Sequence, residues 1–129
     1  MPGPYTHKNL TEVDDSAPKF GYEGNQEARF ANRDLEVVDT GLSHLRVKPG
    51  MRQGFAHRHD EAEEVYVVIS GSGRAKLDDE IVELAARDAL RVSPGVTRQL
   101  EAGPEGLELI AFGPRHDGDG EIVPGWWSD

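Results

Sequence analysis

Two histidines and a glutamate at short spacing are the residues best suited to chemistry. The segment from 57 to 71 reads HRHDEAEEVYVVISG, with His57 and His59 two residues apart and Glu64 five residues further on. Residues i and i+2 of a β-strand point to the same face, so the two imidazoles can converge on one point. Two imidazoles and a carboxylate on neighbouring strands are the ingredients of a 2-His-1-carboxylate metal site with open coordination positions. A solvated loop that ends a strand fits the same spacing, which alone does not decide between the two.

A strand that opens at Glu64 also predicts the direction of the side chains that follow. Even-numbered residues up to Ser70 should share the face of Glu64, and odd-numbered residues up to Ile69 should point away. Tyr66 then lies beside the candidate ligands, where its hydroxyl can orient a substrate. A tyrosine that fills the interior explains this position equally well.

The same segment resembles the first sequence motif of the cupins. That motif has a glycine, a short spacer, HxH, three or four residues, a glutamate, six residues and a glycine. Here GMRQGFAHRHDEAEEVYVVISGSG matches it with His57, His59, Glu64 and Gly71, although the leading spacer is six residues where five is usual. The match in the first motif is the specific part of the resemblance.

The second cupin motif is matched only in part, by RDALRVSPGVTRQLEA at residues 87–102. Arg87 stands where the motif has a glycine, Ser93-Pro94-Gly95 supplies its turn, Arg98 falls at its histidine and Ala102 falls near its asparagine. The histidine of this motif would be the fourth metal ligand. The departure at Arg98 therefore affects the expected site directly.

The resemblance covers residues 35–113 and carries three implications. The fold should be all-β, a jelly-roll barrel (double-stranded β-helix), with the site in the mouth of the barrel. A metal should be held by His57, His59 and Glu64. The chain should then divide into an N-terminal arm at 1–34, a barrel at 35–115 and a tail at 116–129 that packs on the barrel or on a partner.

Arg98 leaves three arrangements of the expected site open, because a guanidinium is always protonated and cannot ligate a metal. In one, the ion keeps three protein ligands, and Arg98 clamps a substrate carboxylate or phosphate beside it. In another, Arg98 pairs with Glu64 and replaces the cation, which gives a metal-free, non-catalytic pocket for ligand binding. In a third, Arg98 points outward, as most arginines do.

The ligand set limits the metal without choosing it. The chain has no cysteine, so any metal must be bound by histidine, carboxylate or water. One divalent transition ion, iron, manganese, nickel or zinc, is compatible with such a site. Iron(II) would suit oxygenase chemistry, and manganese or zinc would suit Lewis-acid chemistry such as isomerisation or decarboxylation. We therefore expect a small, anionic organic molecule as ligand or substrate and leave the reaction open.

Composition excludes several other function classes. The formal charge of −10 and the scattered basic residues argue against nucleic acid as a partner. No run of about 18 apolar residues is present, and residues 1–15 lack the basic and apolar segments of a secretory signal. These features predict a cytoplasmic protein without membrane contact.

Short runs rich in β-branched residues, separated by turn signals, predict eight strands. In order, the runs are LEVVDT, LSHLRV, VYVVIS, RAKL, IVEL, ALRVS, RQLEA and LELIAF. Gly71-Ser72-Gly73 and the segment 103–106 are predicted to be turns between them. Within the arm, residues 25–35 are predicted to form a turn or two of helix.

The remaining features concern contacts outside the barrel. The VYVVI run at 65–69 is apolar on both faces, and Trp126 and Trp127 end a polar tail. We expect these groups to be covered in a homodimer, which is common among cupins. His44, beside Arg46 in the alternation, is predicted to be a surface or interface residue. His116 is predicted to be solvated in the tail or to close over the barrel mouth.

Overall fold

Eight β-strands dominate the fold of residues 2–129, which the computed structural model describes. They are β1 Gln26–Phe30, β2 Thr40–Val47, β3 Ala56–His59, β4 Glu64–Leu77, β5 Glu80–Ala85, β6 Ala89–Val92, β7 Arg98–Pro114 and β8 Gly120–Val123. Two 3-10 helices, Leu10–Glu12 and Ala17–Phe20, and one short helix, α1 Asn32–Leu35, complete the regular structure.

All eight strands belong to one curled sheet built around the long strands β4 and β7. The main path runs β1-β2-β7-β3-β8, and β4 pairs with β5, β6 and β7. Every pairing between strands is antiparallel. The arrangement confirms the predicted all-β jelly-roll barrel. Among residues 2–129, no helix is long and apolar enough to cross a membrane.

The core lies between the two curved halves of the sheet. It is built from apolar side chains that alternate inward along the strands: Ala28, Leu45, Val47, Tyr66, Val68, Ala75, Leu84, Val92, Leu100, Ala102, Leu107, Leu109 and Ala111. Alternation of buried and exposed positions is what period-2 patterning predicts for a sheet with one wet face. The core fixes the inward direction of the residues at the start of β4.

Several local predictions were wrong. The LEVVDT run is not a strand, because α1 ends at Leu35 and Glu36 adopts a left-handed conformation with φ of 57°. The turn or two of helix expected within residues 25–35 is confirmed only at 32–35, where α1 forms one turn. Residues 26–30 form strand β1 instead, which pairs with β2 and so gains hydrogen bonds that a short isolated helix lacks.

The predicted turns at 71–73 and 103–106 lie inside β4 and β7 instead. The pairing of these strands shifts register at two irregularities, between Val68 and Ser70 and between Gly71 and Gly73. A Cβ on Gly71 would lie 2.0 Å from the Gly106 carbonyl oxygen, so glycine permits the close crossing. The shift also makes the parity prediction wrong for Ser70, which is exposed and donates a hydrogen bond to Glu108.

The tail returns to the barrel of the same chain. Strand β8 pairs with β3, and the Trp127 side chain is buried. The Arg52 guanidinium lies 4.2 Å from the centroid of the Trp127 ring, and Arg52 Nη1 donates a 2.9 Å hydrogen bond to the Trp127 carbonyl. Stacking of a guanidinium on an indole adds to the apolar burial and holds the end of the chain.

Candidate metal centre

Strand β3 presents both histidines from a position enclosed by other strands. His57 lies opposite Arg98 of β7 on one side and opposite Ile122 of β8 on the other, and His59 lies opposite Gly120. The two imidazole centroids are 5.1 Å apart, with the rings nearly perpendicular. The pairing on both edges of β3 fixes the backbone, so the two rings face the barrel interior together.

Glu64, the first residue of β4, completes the cluster. Its Oε1 lies 3.5 Å from His57 Nε2 and 3.7 Å from His59 Nε2. One ligand atom from each of the three side chains falls within 4.8 Å of the others. Metal–ligand bonds of about 2.0–2.2 Å separate neighbouring ligand atoms by roughly 3–3.5 Å, so the cluster has nearly the spacing of a metal site.

Tyr66, two residues after Glu64 on β4, contacts the same carboxylate. Its hydroxyl donates a 2.6 Å hydrogen bond to Glu64 Oε1 and lies 3.4 Å from His57 Nε2. Burial and the neighbouring Glu64 carboxylate raise the pKa of Tyr66 far above its usual value. The phenol therefore stays protonated and acts as a hydrogen-bond donor that orients Glu64.

Arg98 points inward and is 0% exposed, so the outward alternative does not describe this chain. Its Nη2 lies 3.2 Å from Glu64 Oε1, its Nη1 donates a 2.8 Å hydrogen bond to the Val96 carbonyl, and its Nε lies 3.4 Å from the Tyr66 hydroxyl. The guanidinium therefore lies inside the cluster, in contact with both Glu64 and Tyr66. We call His57, His59, Glu64, Tyr66 and Arg98 the inner cluster.

The protonation states in the inner cluster suit metal binding. Burial alone would raise the pKa of Glu64, but the polar contacts from His57, His59 and Tyr66 outweigh it and hold the pKa well below its usual value. Burial is the largest influence on His57 and lowers its pKa below 6.5, despite the opposing effect of Glu64. At neutral pH the cluster thus offers an ionised carboxylate and a neutral imidazole, the forms that ligate metals.

Asp119 is a site residue that the sequence analysis missed. Its carboxylate accepts hydrogen bonds of 2.9–3.0 Å from the backbone N–H groups of Asp60, Glu61 and Ala62, the loop between β3 and β4. Its Oδ2 also lies 3.7 Å from His59 Nδ1, a buried nitrogen without a hydrogen-bond partner. Asp119 lies in the acidic, glycine-rich segment DGDGE at 117–121, and these letters do not predict a contact with residues that lie 57–59 positions earlier.

Two cavities border the inner cluster. One, of about 320 Å³, is lined by His57 and His59 together with apolar residues of the arm and β8. The other, of about 130 Å³, is lined by His59, Glu64 and His116 among others. His116 Nδ1 lies 3.6 Å from Glu61 Oε2, so this tail residue stands beside the mouth.

His44 was predicted to be a surface or interface residue, and the exposed surface position is wrong, whereas the interface position stays a prediction. It is buried on the outer side of the sheet, where its Nε2 lies 2.7 Å from Glu108 Oε2. Arg46 Nη2 contacts the same oxygen at 3.3 Å. The cross-strand packing of β2 against β7 covers the imidazole, which a single-strand alternation does not reveal. We call His44, Arg46 and Glu108 the outer cluster.

The comparison with family models identifies one match. The family described as "Cupin domain" matches residues 43–112, more than half of the chain and the part that contains the whole inner cluster. No curated protein matches the sequence.

Solved structures of similar shape carry the same fold at low sequence identity. A cupin protein from Bacteroides fragilis is 21% identical, with a TM-score of 0.70 over 91% of this chain and 89% of that one. Oxalate decarboxylase from Bacillus subtilis is 21% identical, with a TM-score of 0.73 over 94% of this chain and 33% of that one. KdgF from Halomonas sp. is 19% identical, with a TM-score of 0.65 over 90% and 97%. These likenesses concern the fold alone.

Proposed function

Because this chain belongs to the cupin domain family, we propose that it is a metal-dependent cupin that acts on or binds a small anionic organic molecule. His57, His59 and Glu64 would hold one divalent transition ion, iron, manganese, nickel or zinc. The observation that carries the proposal is the convergence of two imidazole nitrogens on one carboxylate oxygen, at 3.5 and 3.7 Å. Both separations are longer than the usual hydrogen-bond distance of about 2.9–3.0 Å and close to the separation of roughly 3–3.5 Å between two ligand atoms on one ion.

The donor set fits such an ion. Two imidazoles and one carboxylate leave coordination positions open for an exogenous ligand. The bound ion would supply either a dioxygen-binding centre or a Lewis acid, which correspond to oxygenase and to isomerase or decarboxylase chemistry. The chain's own residues orient the site: Tyr66 and Arg98 hold Glu64 Oε1, and Asp119 lies behind His59.

The charges of the inner cluster support an anionic ligand. Glu64 and Arg98 cancel each other, so a dication would leave two uncompensated positive charges in a partly buried site. An exogenous anion at the open positions would reduce the repulsion between the ion and the Arg98 guanidinium. We propose Arg98 and Tyr66 as the substrate-binding residues of this function, with Arg98 reaching the anion after loosening its contact with Glu64.

The metal content of the purified protein tests the proposal. Protein prepared without a tag and without chelator is expected to bind close to one equivalent of a divalent transition metal in elemental analysis after reconstitution. His59→Ala should lose this metal, while His44→Ala, which removes a histidine from the outer cluster, should retain it. Failure of wild-type protein to bind any of the four metals would overturn the proposal.

A specific observation also favours a second candidate, a non-catalytic, metal-free ligand-binding cupin. Arg98 Nη2 already lies 3.2 Å from Glu64 Oε1, so the guanidinium can take the role of the cation. In that case a chelator should leave the melting temperature unchanged. In the metal-dependent case the chelator should lower it, because an ion that binds only the folded state stabilises that state.

Two further proposals concern assembly and location. We propose a homodimer formed through the outer face of β4 and β7, where Val65 lies opposite Phe112 and where Phe112 and Ile69 are exposed. Light scattering at micromolar concentration should give twice the chain mass, and Ile69→Glu should reduce it to the monomer mass.

A cytoplasmic location stays a prediction from the sequence, to be checked by fractionating cells of the source organism.

A further inference from the structure

We infer that the apolar cavity beside His57 and His59 is a binding subsite for the body of a ring-containing carboxylate, such as an arylacetate. The inference rests on the proposed function, because the inner cluster would bind the carboxylate end. It adds the chemical class of the remainder of the molecule. We call this space the arm cavity, since the arm forms one of its walls.

The arm cavity has a volume of about 320 Å³, at the lower end of the range of roughly 300–1,000 Å³ for small-molecule sites. Large apolar side chains from three separate parts of the chain line it: Phe20, Tyr22 and Phe30 from the arm, Phe55 before β3, and Ile122 from β8. His57 and His59 of the inner cluster also line it. A molecule bound in the arm cavity would therefore contact both apolar side chains and two histidines of the inner cluster.

Solvent exposure of these walls indicates that they lack a partner within the chain. Phe20, Phe30 and Ile122 are 63%, 56% and 57% exposed. Leaving apolar surface in water costs about 25 cal/mol per Å², so three such side chains around one concavity favour an apolar occupant. Single exposed apolar residues are common, but their concentration around a cavity that reaches histidines is characteristic of a ligand site.

The wall nearest to β3 is fixed before any ligand arrives. The Tyr22 and Phe55 rings pack at a centroid distance of 5.3 Å with a tilt of 56°. Tyr22 also lies over Gly54, where a Cβ would be 2.2 Å from the tyrosine ring. A pair of tilted aromatic rings offers both ring faces and ring edges, which suits a flat ring in the occupant.

Two other polar side chains that line the arm cavity, Gln26 and Glu121, are already engaged. Gln26 is buried, and its Oε1 accepts a 2.8 Å hydrogen bond from the Gly54 backbone N–H. Glu121 is paired with Arg58 at the rim. The imidazoles of His57 and His59 are therefore the polar groups best placed to meet the charged end of an occupant, directly or through an ion that they bind. This arrangement favours a molecule with one anionic end over a small dianion.

Isothermal titration calorimetry with phenylacetate and with oxalate tests the inference. Metal-loaded wild-type protein is expected to bind phenylacetate more tightly than oxalate. Ile122→Ser and Phe20→Ser should each weaken phenylacetate binding about five- to tenfold, because each removes one apolar wall, and leave oxalate binding unchanged. Ile81→Ser and Tyr5→Ser remove exposed apolar side chains elsewhere in the chain and serve as matched controls without effect.

The outcomes separate this inference from the proposed function. Metal binding with tight oxalate binding and no phenylacetate binding would overturn the inference and leave the proposed function standing. Phenylacetate binding that depends on Phe20 and Ile122 in protein that takes up no metal would support the inference and overturn the metal site. A dimer that dissociates on Ile122→Ser, without phenylacetate binding, would assign the apolar walls to a second copy and overturn the inference.

Discussion

The inner and outer clusters contain the same kinds of residues but differ in geometry. In the outer cluster one imidazole nitrogen lies 2.7 Å from Glu108, and Arg46, half exposed, contacts the same oxygen. In the inner cluster two imidazole nitrogens face one oxygen at 3.5 and 3.7 Å, and the arginine is fully buried. The outer cluster joins its histidine directly to the carboxylate and leaves its arginine half exposed, whereas the inner cluster keeps its histidines separated from the carboxylate. Composition therefore does not distinguish a structural cluster from a candidate metal site, whereas distances and burial do.

The largest expected difference between the clusters concerns their arginines. Arg98→Met in chelated protein should lower the free energy of unfolding by about 3 kcal/mol or more, because Glu64 would lose its buried counter-ion. Arg46→Met should cost less than about 1 kcal/mol, since exposed ion pairs contribute little. Urea unfolding of both variants measures the difference. Equal losses would mean that burial does not separate the two clusters energetically.

Metal affinity should respond strongly to the charge at position 98. Arg98→His removes the repulsion between a guanidinium and a dication and adds an imidazole, so the metal dissociation constant should fall about tenfold or more. Arg98→Gln removes the charge without adding a ligand of comparable strength and should give an intermediate value. Calorimetric titration with Zn²⁺ or Mn²⁺ measures both. An unchanged affinity in Arg98→His would show that Arg98 is not at the fourth-ligand position.

A smaller effect is expected from the residue behind His59. Asp119→Asn should weaken metal binding about tenfold, because a carboxylate beside the distal nitrogen orients and polarises a ligating imidazole. Asp117→Asn, in the same tail but paired with Arg115 at the surface, is the matched control and should bind metal normally. Identical affinities for the two variants would restrict Asp119 to holding the loop at residues 60–62.

The smallest expected effect is a pH-dependent loss of stability when Glu108 of the outer cluster is replaced. The hydrogen bond from His44 is the main cause that lowers the pKa of Glu108 below its ordinary 4.5. A carboxylate whose pKa is lower in the folded state than in the unfolded state stabilises the fold at pH values above its unfolded-state pKa. This stabilisation is lost as the pH falls through the folded-state pKa. Glu108→Gln should thus cost about 1 kcal/mol at neutral pH, with the gap to wild type closing below about pH 4.5. Thermal or urea unfolding of both proteins between neutral pH and about pH 4 measures this stability difference. A difference that widens on acidification would contradict a lowered pKa of Glu108.

The barrel and the convergence of His57, His59 and Glu64 could be predicted because the strand patterns are local and the first cupin motif is short. Alternating apolar residues identified most strands, and the i, i+2 spacing of His57 and His59 placed the rings on one face. Glu64 and Tyr66 followed from the same alternation. At Ser70 the alternation failed, because the bulge between β4 and β7 depends on the close approach of Gly71 to Gly106, a contact between distant parts of the chain.

The remaining features depend on tertiary contacts that the sequence does not display. Asp119 reaches the loop before β4 only because β8 pairs with β3. The arm forms strand β1 through hydrogen bonds to β2, and no local signal predicted this pairing. The sequence placed Arg98 at the fourth-ligand position, but its burial and its contact with Glu64 could be read only from the three-dimensional structure.

The location of a bound metal tests the central claim most directly. Crystals of the protein soaked with Mn²⁺ or Zn²⁺ and measured at the absorption edge of the metal should show one anomalous peak, in contact with His57 Nε2, His59 Nε2 and the Glu64 carboxylate. The outer cluster should show none. A peak at His44 and Glu108, or no peak at the inner cluster with the Arg98 and Glu64 pair intact, would contradict the account and favour the metal-free pocket.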